Sequence, residues 1–176
     1  MLFEYSNKEF VTTIVRPATV CGYAKRQRLD VVVNILANLA YHKREITVFG
    51  GSQLRPNIHI DDMVDVYLLL IGADPYKINK EIFNAGYENQ SVMHLAKSAR
   101  SIIGDDVKIK EVPTNDIRSY HISSDKINNK LNFTAKRTIS DAISDLKNAF
   151  EKKLLLNTLD DERYFNLKKM QSIKLK

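Results

Sequence analysis

The sequence predicts an α/β fold on three observations. FVTTIVRP, near the start, is a strand that is apolar almost throughout, as expected for a parallel sheet covered on both faces. Segments with helical spacing alternate with short β-branched runs along the chain. Glycines punctuate the ends of those runs, at Gly50-Gly51 and Gly86.

Val11, Thr12, Thr13, Ile14 and Val15 are strand formers, and Pro17 stops the strand from continuing inside a sheet. ATVCGYAKRQR reads as a loop containing Gly22. Asp30 then opens a helix in which Val32, Val33, Leu36, Leu39 and Ala40 share one face and basic residues close the last turn. EITVFGGS is a short strand, and LRPNIHIDD is extended. Asp61 or Asp62 caps a helix through MVDVYLLLIG that stops at Gly72. EIFNAG is another strand. Ser91 starts a helix that ends at Gly104, and VKIKEV alternates as a half-exposed strand near an edge. SSDKINNKL and TISDAISDLKNAFEKKL are helices, the second capped by Thr138. The remainder lacks a clear period.

The chain has 176 residues, 44% hydrophobic and 27% charged, enough for one domain with a core. A single cysteine, Cys21, excludes an internal disulfide and a thiolate-only metal cage. No apolar run reaches the roughly 20 residues of a membrane helix, and MLFEYSNKEF has no secretory character. A reduced cytoplasmic setting follows as the expectation. The net charge is +6. Acids and bases are interspersed, which favours a solvated surface over a nucleic-acid footprint, with a local basic pocket for a small anion as the other reading.

Five segments in order, VRPATVCGY, RQRLDVVVN, ITVFGGSQLRPNIHIDD, IFNAGYENQSV and NDIRSYHISSDKI, carry a resemblance. Over about residues 10–165 the chain is similar to the C-terminal part of the NAD-dependent epimerase/dehydratase family, extended short-chain dehydrogenase/reductases that act on nucleotide sugars. The resemblance implies the end of a parallel Rossmann-type sheet plus a small substrate-binding α/β subdomain. It divides the chain into a Rossmann remnant at 1–30, a substrate-binding subdomain with sheet remnants at 31–155 and a tail at 156–176. The family's glycine-rich pyrophosphate loop is not found in these residues, and its Tyr-x-x-x-Lys pair is not found ahead of Arg16-Pro17: no G-x-G-x-x-G occurs, and Tyr5 and Lys8 are three apart rather than four and too close to Arg16-Pro17. No catalytic residue is therefore assigned, and the chain is expected to be a truncated member, a split product or a fragment, inactive alone. A strand edge exposed by truncation would need a partner or cost solubility.

The resemblance assigns substrate-binding positions to Arg55, Arg118, Thr19, Arg28 and Asn34, and cofactor-side positions to Pro17, Ala18 and Thr19. Arg55 and Arg118 are the arginines that close on the substrate diphosphate, which a guanidinium grips with paired hydrogen bonds. Against this, Arg55 could be a surface arginine, Arg118 could pair with Asp116, and Thr19 could be a turn hydroxyl. Arg28 and Asp30 precede the long helix on the substrate side, although Asp30 as a helix cap explains its place equally. Asn34 faces either the site or solvent. Cys21 stands where relatives carry tyrosine and reads as a buried, inert thiol. His59 with Asp61 and Asp62 marks a strand-to-helix turn rather than a metal site, since His42, His94 and His121 show no ligand spacing with them.

The implied cofactor of the complete enzyme is NAD or NADP, its site mostly absent here. The implied partners are a nucleoside diphosphate sugar and a separate Rossmann half or a second copy; neither membrane nor nucleic acid is expected. The implied reaction is hydride chemistry on the sugar. The alternative is a non-catalytic nucleotide-sugar module or scaffold.

Overall fold

The computed structural model describes residues 1–115 and 118–174. After a 3-10 turn at Leu2–Glu4 come β1 (Thr13–Pro17), β2 (Thr19–Cys21), α1 (Val32–Lys43), β3 (Glu45–Phe49), β4 (Leu54–His59) and α2 (Ile60–Ile71). They are followed by α3 (Pro75–Ile78), β5 (Glu81–Ala85), β6 (Glu88–Ser91), α4 (Val92–Ile103), β7 (Lys108–Val112), α5 (Asp125–Leu131) and α6 (Ile139–Glu151). A 3-10 turn at Glu162–Tyr164 and α7 (Asn166–Ser172) end the description.

The strands pair in three small sheets. β1 lies parallel to β5, with Val15 opposite Phe83, and β3 parallel to β7. β4 is central to the third, parallel to β2 and antiparallel to β6. The first strand is therefore parallel, as its apolar composition requires. β2 and β6 are the strands that local pattern misses. ENQS is polar and has no alternation, and it becomes a strand because β4 offers it a paired edge.

Two cores hold these layers. One joins α1, α4 and α6 over β3, with Leu36, Ile46, Leu95, Ile143 and Leu146 almost fully buried. Removing each such side chain from water stabilises the fold by roughly 1.5–3 kcal/mol. The other packs Phe83 and Ala85 of β5 against Ile58, Val66 of α2 and Ile127 of α5. Residues between 31 and 155 serve both cores, and β1 shares its sheet with β5. In the segment after 155, Thr158 is buried, and its carbonyl accepts from Asn38 Nδ2 at 3.0 Å.

Helix ends show which local signals suffice. Ser91 Oγ accepts from the His94 amide, and Thr138 forms a reciprocal capping box with Asp141, both as their sequences predict. Two expected caps are corrected. Asp30 does not cap α1, which starts after Val31; its carboxylate instead accepts from Arg28 Nε and the Asn166 amide, each at 2.9 Å. Neither aspartate caps α2. His59 does, Nδ1 accepting from the Asp61 amide at 3.1 Å. Asp62 is turned inward, where Oδ2 accepts from the amides of Lys136 and Arg137 and Oδ1 from Arg137 Nη1.

α2 also has an uncovered face. Val64, Tyr67, Leu68 and Ile71 follow the i, i+3, i+4, i+7 spacing and are 46%, 51%, 62% and 83% exposed. Among the described residues β1 pairs with β5 alone, so its other edge is open.

Asp62→Ala leaves the amides of Lys136 and Arg137 without their acceptor and removes one of the carboxylates around the Arg137 guanidinium, which keeps Asp61 and Asp65. Because Arg137 is itself half-exposed, the loss is less than for a wholly buried pair, about 2 kcal/mol of stability. A lower urea midpoint at unchanged slope is the expected result; an unchanged midpoint would contradict the role assigned to Asp62.

Candidate functional site

A cleft of about 500 Å³ opens beyond the carboxyl ends of β1 and β5. That is where ligands bind in open α/β sheets. Pro17, Ala18 and Thr19 form one wall as the chain passes from β1 to β2, and Arg28 reaches in from the following loop. Arg16, Asn84 and Tyr120 complete the polar lining. Arg16 was not singled out from the sequence; its place at the last turn-facing position of a strand that ends in Pro17 is the signal that could have found it.

Arg55 stands beside this cleft, one residue before Pro56, which lines it. Its Nη1 donates to the Arg118 carbonyl at 2.5 Å and to the Leu54 carbonyl at 2.9 Å, and its guanidinium carbon lies 5.5 Å from the centre of the Tyr120 ring. Two arginines 63 positions apart in the chain are therefore neighbours. Asp116 lies outside the described residues.

A strap, residues 118–124, makes them so. Ser119 Oγ accepts from the Leu54 amide, and the Tyr120 amide donates to the Leu54 carbonyl. Asn89 clamps Ile122 from both sides, its Nδ2 donating to the carbonyl at 3.1 Å and its Oδ1 accepting from the amide at 2.9 Å. Ser124 Oγ donates to the Gly86 carbonyl and accepts from the Gly86 amide, both at 2.8 Å. The approach is so close that a Cβ on Gly86 would sit 2.6 Å from Ile122 Cδ1 and 3.1 Å from the Ala18 Cβ. A side chain at position 86 would displace Ile122 of the strap and crowd Ala18 of the cleft wall.

The remaining assigned residues serve differently. Arg28 is exposed and ion-paired to Asp30. Burial pushes the Asp30 carboxyl up, but the Arg28 hydrogen bond and the Asn166 amide outweigh it and hold it below the usual carboxylate value. Asn34 does not face open solvent. It is buried, its Oδ1 accepting from the Gly22 amide at 3.0 Å and its Nδ2 donating to the Arg28 carbonyl at 2.8 Å. It positions the loop that carries Arg28. Tyr5 is exposed on the N-terminal segment, away from any regular element but the 3-10 turn it ends.

His59, Asp61 and Asp145 bring ligand-type atoms within 4.8 Å of one another. Both ring nitrogens of His59 are already engaged. Nδ1 accepts from the Asp61 amide, which places the proton on Nε2, facing Asp145 Oδ2 at 3.2 Å. In this tautomer the His59 ring offers no free lone pair to an ion.

Residues 1–86 match the model of the NAD dependent epimerase/dehydratase family. Those residues belong to that family. Solved structures extend the likeness over most of the chain. A UDP-glucose 4-epimerase from Thermotoga maritima, solved with UDP-glucose, is 26% identical at a TM-score of 0.70, covering 84% of this chain and 48% of its own. A UDP-glucuronic acid 4-epimerase from Bacillus cereus, solved with UDP-glucuronic acid and NAD, is 21% identical at 0.70, covering 85% and 48%. A dTDP-glucose 4,6-dehydratase from Bacillus anthracis, solved with NAD, is 15% identical at 0.70, covering 89% and 49%. The chain spans about half the length of each. Its fold is that of part of an extended short-chain dehydrogenase/reductase. Among the described residues no helix is long and apolar enough to cross a membrane.

Cys21 is buried with Sγ donating to the Ile58 carbonyl at 3.4 Å. Burial, helped by the charge of Glu88, pushes its thiol up to about 12 from 9.0. At pH 8 the folded protein therefore holds roughly a thousandfold less thiolate than the unfolded chain. Iodoacetamide at pH 8 is expected to label Cys21 only after denaturation. Rapid labelling of the folded chain would contradict its assignment as an inert core residue.

Proposed function

We propose that this chain is the nucleotide-sugar-binding half of an NAD(P)-dependent epimerase/dehydratase. The observation that carries the reading is the hydrogen bond from Arg55 to the main chain of Arg118, beside a cleft beyond parallel strand ends. A diphosphate needs cationic donors on more than one side, and a guanidinium offers paired, permanently charged hydrogen bonds that lysine does not. Held there, the sugar would extend along Thr19 and Asn84 into the cleft, already oriented for reaction.

Pro17, Ala18 and Thr19 have the place and the small, neutral character to wall the nicotinamide end of NAD or NADP. When bound, that cofactor supplies a hydride acceptor. The pyrophosphate cradle and the acid–base pair would come from elsewhere, since residues 1–176 hold no G-x-G-x-x-G run and no Tyr-x-x-x-Lys pair stands ahead of Arg16-Pro17. Two features support a complementary Rossmann half as partner: the open edge of β1 and the exposed apolar stripe of α2, which would find a strand and a helix to cover them. The missing motifs equally favour a second reading, a non-catalytic nucleotide-sugar module. Conversion of a nucleotide sugar by the chain alone would contradict both.

Calorimetric titration with UDP provides the test. Arg55→Ala is expected to weaken binding by about tenfold or more, the loss of charge-assisted hydrogen bonds to a phosphate, with Arg55→Lys restoring little of it. Equal affinity of the parent and Arg55→Ala would overturn the assignment.

A further inference from the structure

The loop after β2 and the segment after α6 build a second cleft, of about 510 Å³, in the range of small-molecule sites. Its first wall is fixed from within by Gln27, only 3% exposed. Gln27 Nε2 donates to the carbonyls of Gly22 and Arg28, at 3.2 and 3.0 Å, and Oε1 accepts from the Ala24 amide at 2.9 Å. With every group of the buried amide in use, the loop holds one shape and displays Lys25 and Arg26 outward. The second wall is sewn to the first. The Leu29 amide donates to the Tyr164 carbonyl, the Asn166 amide to Asp30, and Arg26 Nη2 to Asn166 Oδ1 at 3.0 Å.

Four cations line the cleft: Lys25, Arg26, Arg163 and Lys169. Two are compensated by acids of their own segment, Arg163 by Asp161 at 2.6 Å and Lys169 by Glu162 at 2.7 Å. The other two are not. Arg26 meets only the neutral Asn166 amide oxygen, and Lys25 has no hydrogen bond or ion pair among the described residues. Two net positive charges thus face one space. Beside them Leu154 and Leu156 are 55% and 58% exposed, an apolar edge left in water within the same cleft. Uncompensated guanidinium and ammonium groups suit a phosphate, and the leucines suit an apolar substituent attached to it.

We propose that this cleft is a second binding site, separate from the nucleotide-sugar cleft, for a small phosphate ester with an apolar group. The phosphate contacts Lys25 and Arg26, and the apolar group covers Leu154 and Leu156. The site uses none of Arg55, Arg118 or Thr19, so it stands whether or not the nucleotide-sugar reading does.

The full chain is titrated with 1-naphthyl phosphate and with inorganic phosphate, followed by calorimetry and by amide NMR shifts. The expected result is that 1-naphthyl phosphate binds about tenfold tighter than inorganic phosphate and shifts the amides of Lys25, Arg26 and residues 163–169. Lys25→Ala/Arg26→Ala weakens it by about tenfold or more, and Leu154→Ser/Leu156→Ser removes its advantage over inorganic phosphate. Arg55→Ala leaves it unchanged. The proposal is overturned if no binding occurs at millimolar ligand, if the two ligands bind equally, if the Lys25/Arg26 variant binds as the parent does, or if Arg55→Ala abolishes binding and so places the phosphate in the first cleft.

Discussion

The pinning of residues 118–124 against β4 and the β5–β6 turn is the constraint on which the site depends. Loop closure over 63 residues is entropically costly, and a single exposed contact would not keep Arg118 beside Arg55. The Asn89 clamp on Ile122, the two-way Ser124–Gly86 exchange and the Ser119 contact with Leu54 share that cost among several backbone groups. Each also satisfies amides and carbonyls of a segment with no ladder of its own. The absence of a Cβ at Gly86 is what lets the two segments come within contact distance.

A further set of buried polar side chains gives the loops their shape. Asn34 holds Gly22 and Arg28, Gln27 holds the turn between them, and Asp62 holds the chain entering α6 through Lys136 and Arg137. Asn34 and Asp62 reach backbone outside their own helices, and Gln27 binds the backbone of its own loop on both sides. Function in this fold is carried by such loops, while the strands supply the floor.

Much of this architecture is legible in the sequence where the signal is local. Ser91 and Thr138 cap their helices because the capping oxygen lies within a turn of the amide it serves, and Pro17 ends β1 because it cannot donate to a ladder. What is not legible is set by distant partners. Asp30 looks like a cap but is claimed by Arg28 and by Asn166 from the far end of the chain. His59 takes the cap of α2 because Asp62 is drawn inward by Arg137, a choice no window around residue 60 contains. β6 is a strand by virtue of β4, and Asn34 is a loop-holding amide by virtue of a turn twelve residues earlier. The candidate diphosphate arginines came from motif text, and their adjacency came only with the fold. The basic cleft between residues 25–27 and 154–169 has no local signature, since half of its charge lies in a segment without periodicity.

The central claim is that Arg55 and Arg118 act together on one ligand. A double-mutant cycle on UDP affinity, using Arg55→Ala, Arg118→Ala and the double variant, tests it most directly. Residues that grip the same diphosphate give a double variant that loses less than the sum of the single losses, with a coupling of about 1 kcal/mol or more. Strict additivity, or a single variant with parental affinity, would contradict the account.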